Sequence, residues 1–228
     1  LAAGSRIMGG KLGRNAIYVW TDTSLFTMRF VGTPFTFAYE QVGTNCGLIG
    51  KNAAVEVDGA AYWMSDNGFF KFTGKLESMD CLVEDYVYDD LNTTSNQFIY
   101  CGINNLFGEV MWFYPTSASN VVDRCVVYSY LDSTPSRPIW YTNANSLYPR
   151  TTWQDSAVFG LPHATAYDAG TDTCDTVGNT EGISTYYEHE TGLNQIKGGV
   201  TAAIPANILS GDFDITQDQK QGITFRGD

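Results

Sequence analysis

Two stretches of this chain, Ala16–Met28 and Ala60–Phe72, align without a gap, 44 positions apart. Each opens on an aromatic-rich run, Ile17-Tyr18-Val19-Trp20 in one and Ala61-Tyr62-Trp63-Met64 in the other. Each then turns a polar corner, Thr21-Asp22-Thr23-Ser24 or Ser65-Asp66-Asn67-Gly68, and returns through a second apolar or alternating run. Strand-length runs joined by Asp, Asn, Ser and Gly read as a hairpin, because those side chains bond the nearby backbone and Gly tolerates the turn. A hairpin reused at fixed spacing predicts a sheet unit repeated along the chain.

A third copy runs through Glu109–Pro115 and Asp123–Tyr130, with a longer turn, Thr116–Val122, and with Trp112 placed 49 positions after Trp63. A weaker fourth covers His163–Gly170 and Gly182–Glu190, where Asp168-Ala169-Gly170 echoes Asp66-Asn67-Gly68. Strand-like groups at Asp212–Ile215 and Ile223–Phe225 open a further unit. Spacings of about 40–50 residues match propeller blades, which hide most sheet edges by radial repetition. The predicted fold is all-β, with β-propeller-like repeated antiparallel blades and one short inter-blade helix. An N-terminal loop or linker (1–14) precedes approximate units at 15–52, 53–95, 96–160 and 161–210, and a further unit starts at 211–228. The alternative is a β-sandwich, whose turn signals usually recur every 8–12 residues. The helix is predicted at Cys81–Leu91, where Leu82/Tyr86, Val83/Val87 and Val87/Leu91 fall four apart and Asp80 is a suitable N-cap. Glu84, Asp85, Asp89 and Asp90 form its wet side.

With 228 residues, 43% of them apolar, the chain can bury a substantial core. A charged fraction of 17% beside 14% aromatics favours sheet over helix. The net charge of −12 opposes a tight, sequence-independent grip on a phosphate backbone, which needs clustered Lys and Arg. An acidic wall along which DNA slides without sticking carries the same sign. No apolar run approaches the roughly 20 residues needed to cross a bilayer, so no membrane anchor is expected. The chain begins at Leu1 and ends just after the strand-like Gly222–Phe225, so it is expected to be an internal fragment.

Catalytic signatures are weak. Walker loops, Ser nucleophile elbows and dinucleotide fingerprints are absent. The five cysteines (46, 81, 101, 125 and 174) lack C-x-x-C spacing and read as buried thiols, in keeping with assembly in a reducing place. Glu188-His189-Glu190 alternates faces on a strand and converges poorly on a metal, and His163 is the only other histidine. Gly43-Thr44-Asn45-Cys46-Gly47 lacks the Lys and the following helix of a phosphate cradle. Asp22, Asp66 and Asp168 sit in corners where backbone hydrogen bonding explains them. Ser65-Asp66-Asn67-Gly68 loosely resembles an Asp-box turn without its spacer. Arg6, Lys11 and Arg14, the densest basic group, read as a solvated loop or a contact for a phosphate or an acidic neighbour.

The segments Phe35–Gly50, Ala60–Phe72 and Val83–Val87, with Asn45-Cys46-Gly47 and Trp63-Met64-Ser65-Asp66 as their most distinctive parts, resemble virion structural proteins of tailed bacteriophages. The similarity runs through most of residues 15–160 and is closest to the propeller-bearing nozzle or hub proteins of short tails. The resemblance implies a ring of identical subunits, six in number, around the channel through which genomic DNA leaves the particle. It implies a virion location in the tail after assembly in the host cytoplasm, and neighbours among tail or head–tail connector proteins. It implies DNA passing through without sequence-specific binding, no cofactor and no catalytic residues. Glu84, Asp85, Asp89 and Asp90 are the acidic residues expected to face such a channel. A rival from another class is a carbohydrate-binding or glycoside-processing propeller, with Trp140, Tyr141 and Trp153 stacking on sugars.

Overall fold

The structure is a computed structural model that describes residues 4–143, 150–168, 183–192, 194–197 and 200–203. It comprises two compact units, Leu1–Thr191 and Gly192–Asp228. In the first unit, β1 (Ile7–Leu12), β2 (Ile17–Thr21), β3 (Ser24–Phe30) and β4 (Phe37–Thr44) form one sheet in chain order. A second sheet follows from β5 (Ala54–Val57), β6 (Ala60–Ser65), β7 (Gly68–Phe72) and β8 (Leu76–Met79). A third is built from β9 (Tyr100–Asn104), β10 (Glu109–Tyr114), β11 (Arg124–Ser129) and β12 (Trp140–Asn143). Among the described residues the fourth has three strands, β13 (Thr152–Gln154), β14 (His163–Asp168) and β15 (Ile183–Glu188). In the second unit, β16 (Asn194–Lys197) and β17 (Val200–Ala203) make a hairpin. Among the described residues the paired strands are antiparallel chain neighbours, and no sheet closes into a barrel. The chain is all-β.

The first two copies of the repeat read from the sequence form hairpins in the same register. Trp20 pairs with Leu25 and Met64 with Phe69, each hairpin closing through two residues, Asp22-Thr23 or Asp66-Asn67. The third copy closes with Tyr114 opposite Arg124, as its longer turn requires. His163 opposite Glu188 aligns the fourth.

Three boundaries differ from expectation. Residues 1–14, expected to be a loop or linker, contain β1, which pairs with β2 from Ile7 opposite Thr21 to Leu12 opposite Ile17. Two glycines and a lysine hide a strand that lies on an edge and needs few apolar side chains. The fourth sheet begins with β13, ahead of position 161, because Trp153 belongs to the seam between the third and fourth sheets. The helix is a single turn, α1 (Glu84–Tyr88), with Val83 at its N-cap and no side-chain cap. Asp80 does not cap it, and Leu82 is exposed, so one of the predicted apolar pairs buries nothing. The strands expected at 211–228 and the corner at Ala169-Gly170 lie outside the described residues.

Period-two alternation places the core. In the third sheet Val110, Trp112 and Val126 point into a cluster shared with the first two sheets. Their neighbours Met111, Phe113, Cys125 and Val127 point the other way, onto Trp153 and Ala164 of the fourth sheet. A strand buried on both faces reads as a continuous apolar run, which is why Val110–Tyr114 carries no alternation in its sequence. First strands of successive sheets run side by side. Asn52, just before β5, forms a parallel bridge to Tyr100, and the Cys101 amide donates to the Asn52 carbonyl at 2.8 Å. β13 lies along β9, where Gly102 leaves the space that Trp153 fills: a Cβ there would lie 2.7 Å from the Trp153 Cβ.

The first sheet has one face toward this core and one away from it. Tyr18, Trp20 and Leu25 point inward. Leu12, Phe30, Phe37 and Tyr39 share the opposite face by register and are open to solvent, although Phe26 in their midst is buried. The Phe30 and Phe37 rings meet edge to face at 6.0 Å.

Candidate functional site

Sheet-to-sheet joints are made by indole groups. Trp63 Nε1 donates to the Cys46 carbonyl at 2.9 Å, Trp112 Nε1 to that of Ala53 at 3.0 Å, and Trp153 Nε1 to that of Ile103 at 2.7 Å. In each case a strand residue reaches back to the sheet, or its flanking loop, that precedes it in the chain. Ring contacts continue the joints: Trp20 on Trp63 at 5.4 Å, Phe69 on Trp112 at 4.9 Å and Phe113 on Trp153 at 6.2 Å. Trp140 is buried and donates to the Asp80 carbonyl, so of the three residues offered for sugar stacking only Tyr141 is exposed. Its hydroxyl donates to Glu109.

The Asn45-Cys46-Gly47 loop is a packing element. Cys46 and Leu48 amides donate to the Thr23 and Thr21 carbonyls, and Asn67 Nδ2 donates to the Asn45 carbonyl at 3.1 Å. A Cβ on Gly47 would lie 2.1 Å from the Asp22 carbonyl oxygen and 2.5 Å from the Thr23 nitrogen. These are backbone atoms that cannot swing aside. Gly47→Ala is therefore expected to destabilise the fold by about 1–3 kcal/mol, measured by urea unfolding against wild type.

Among the corner acids, Asp22 accepts bonds from the Ser5 hydroxyl, the Ser5 amide at 2.7 Å and the Arg6 amide at 3.5 Å. These bonds, the Ser5 hydroxyl first, hold its carboxyl below the usual range. Asp66 is shifted upward, by desolvation first and then by the Asp22 charge. Two carboxylates pushed in opposite directions is a pattern of acid–base pairs, yet here the oxygens of Asp22 are occupied by Ser5 and Arg6, on the segment leading into β1. Asp168 ends β14. Of the four acidic residues expected on the helix only Glu84 and Asp85 lie on α1, with Asp89 at its C-cap and Asp90 beyond it. Asp85 and Asp89 are exposed, Glu84 and Asp90 half-buried, and Asp90 accepts from the Ser117 hydroxyl at 2.7 Å. Tyr88 fixes the helix to the Asp66-Asn67 turn, its hydroxyl donating to the Ser65 carbonyl at 2.7 Å and accepting from the Gly68 amide.

Glu188, His189 and Glu190 diverge. Glu190 accepts from Asn104 Nδ2 at 3.0 Å, while His189 Nε2 accepts from Arg150 Nε at 2.9 Å. Burial first, then the charges of Arg150 and His163, push His189 down to about 4. Among the described residues no three His, Cys, Asp or Glu side chains gather as metal ligands. Cys46, Cys81, Cys101 and Cys125 are buried free thiols shifted upward by desolvation, and Cys174 lies outside the described residues.

Two grooves open at equivalent places between consecutive sheets. One, about 280 Å³, is lined by Tyr62, Lys71, Glu77, Tyr128 and Tyr130. The other, about 330 Å³, is lined by Tyr18, Thr27, Arg14, Arg29 and the Asp58-Gly59 turn. Tyr18 opposite Thr27 and Tyr62 opposite Lys71 are the same pair, 44 positions apart. No family model and no curated protein matches this chain.

Of the basic group at the N-terminus, the structure brings Arg14 alone to a groove. Arg6 joins the Asp22 turn through its backbone, and Lys11 lies on β1 opposite Tyr18. Sequence reasoning missed Arg29, which register carries to the same groove from β3. It also missed the Asp58-Gly59 turn, whose φ angles of 53° and 89° are those of a two-residue hairpin. The Asp-Gly pair between Val57 and Ala60 was the available signal.

Proposed function

We propose that this chain is a structural part of a phage tail, a nozzle or hub piece whose copies assemble into a ring around the DNA exit channel. Its four successive sheets in the first unit are read as propeller blades, since antiparallel meanders with neighbouring first strands are the arrangement that radial repetition produces. The observation that carries the assembly reading is the open face of the first sheet. Leu12, Phe30, Phe37 and Tyr39 are 76%, 73%, 49% and 59% exposed on one face, beyond what scattered surface apolars explain. A rigid part with such a face is suited to burying it against a neighbour, and a head-to-tail contact closes into a ring if the rotation between copies closes. The acidic balance, with Asp85 on α1 and Asp89 at its C-cap exposed, suits a wall past which DNA moves without sticking.

Light scattering after gel filtration and negative-stain imaging test this. Rings of six copies with a lumen are expected for the protein, and loss of rings is expected for Phe30→Ser/Phe37→Ser with the fold retained by circular dichroism. Monomers at high micromolar concentration would sink the reading. A second reading, the saccharide-binding propeller, draws on the three tyrosines of the smaller groove. Saturable binding of a polysaccharide, lost with Tyr130→Ala, would favour it.

A further inference from the structure

Arg14 and Arg29 differ from the cation of the equivalent groove. Lys71 is neutralised in place, its Nζ 3.0 Å from Glu77 Oε2. Among the described residues neither Arg14 nor Arg29 has an ion-pair or hydrogen-bond partner, in a chain with nearly twice as many acidic as basic residues. Arg14 leaves the β1–β2 turn and crosses the seam: its Nε lies 3.9 Å from where a Cβ of Gly59 would be, in the second sheet. Arg29 lines the same wall from β3, two positions beyond Thr27, which pairs with Tyr18; the charges of Glu56 and Arg29 both reach the Tyr18 hydroxyl, in opposite senses. On the same wall Thr27 is 1% exposed and its hydroxyl has no partner. A buried donor left unpaired costs free energy that a polar occupant or a water removes.

We propose that this groove is a carboxylate-binding site, with Arg14 and Arg29 as the clamp, Tyr18 and Phe72 as the apolar wall and the Asp58-Gly59 turn as the opposite rim. Two guanidinium groups face two carboxylates, Asp58 and Glu56, the latter accepting from the Gly59 amide at 2.7 Å, so the groove and its rim are close to charge-balanced. With Asp58 and Glu56 on the rim, a singly charged carboxylate is repelled less than a dianionic phosphate or the dense charge of DNA, and arginine forks bind carboxylates through paired hydrogen bonds. The volume of about 330 Å³ admits one or two acidic side chains or one acidic sugar, not a folded element. An acidic side chain of a second copy and a free sugar acid share this chemistry. The site stands independently of the ring reading.

Binding of a hexaglutamate peptide and of glucuronate is measured by calorimetry at low salt, for wild type, Arg14→Gln/Arg29→Gln and, as a control in the other groove, Lys71→Gln. Wild type and the control are expected to bind at least one probe, and the double variant at least about tenfold more weakly. If the double variant also lowers the sedimentation coefficient, a second copy supplies the carboxylate. If self-association is unchanged while glucuronate binding is lost, a free sugar acid does. Equal binding by the double variant, no binding by wild type, or tighter binding of inorganic phosphate or duplex DNA overturns the assignment.

Discussion

Trp112→Ala is expected to lower stability by about 3–5 kcal/mol, the range for removing a fully buried tryptophan. Trp112 has no solvent exposure and lies between Phe69 at 4.9 Å and Trp140 at 6.0 Å, so its loss empties the joint between the second and third sheets. The Ala53 carbonyl also loses its indole donor. Neither side can collapse easily, because Phe69 and Trp140 are themselves held at 4.9 Å from one another and Trp140 is tied to Asp80. For a unit of this size each kcal/mol shifts the melting temperature by about 2–4 °C, so a drop on the order of 10 °C is expected in a thermal scan. Trp112→Phe should recover part of it, keeping ring contacts but not the bond. Tyr141→Ala, on an exposed side chain, should shift the midpoint far less. A Trp112→Ala protein melting within about 2 °C of wild type would show that the sheets are not joined through the indoles.

That joint explains how far the sequence could be read. Hairpins are local, and the match between Ala16–Met28 and Ala60–Phe72 shows both strand runs and the polar corner that joins them. The faces were harder. Trp20 and Trp63 look equivalent by eye, but the offset of 44 makes Met64 the counterpart of Trp20, so the two indoles point to opposite faces of their own sheets and meet across the seam. Edge strands were the least legible. β1 presents Gly9, Gly10 and Lys11, which carry no strand signal, and its place is set by pairing with β2. The helix was overread for a related reason: Leu82 and Tyr86 have helical spacing but lie exposed, and the segment is held by the Tyr88 hydroxyl and by Val87 packing into the core. At the candidate groove, Arg14 was legible as part of a basic group. Arg29 was not, because only the register of β3 on β2 brings it beside Tyr18.

Acid should loosen the fold between about pH 6.5 and pH 4, and His189 should account for a separable part of that loss. Its imidazole packs on the Trp153 ring at 4.5 Å and accepts the Arg150 Nε proton, an arrangement that needs a neutral ring with a free Nε2 lone pair. Protonating it would bury a second positive charge against Arg150, and burial together with that charge holds its pKa down to about 4 against an ordinary 6.5. The unfolded chain therefore takes up the proton first as pH falls. Between 6.5 and 4 the unfolded state carries more protons, so unfolding free energy falls with falling pH, and the contribution is complete only above 6.5. Allowing for the solvent that reaches a ring of intermediate burial, the loss is on the order of 2 kcal/mol. Urea unfolding at pH 4, 5, 6 and 7 tests this against His189→Phe, which keeps a ring on Trp153 and cannot titrate. The difference between the two proteins should grow with pH across that window and level off above it. A constant difference would mean that Arg150 tolerates a charged neighbour and that the seam beside Trp153 is wetter than its geometry indicates.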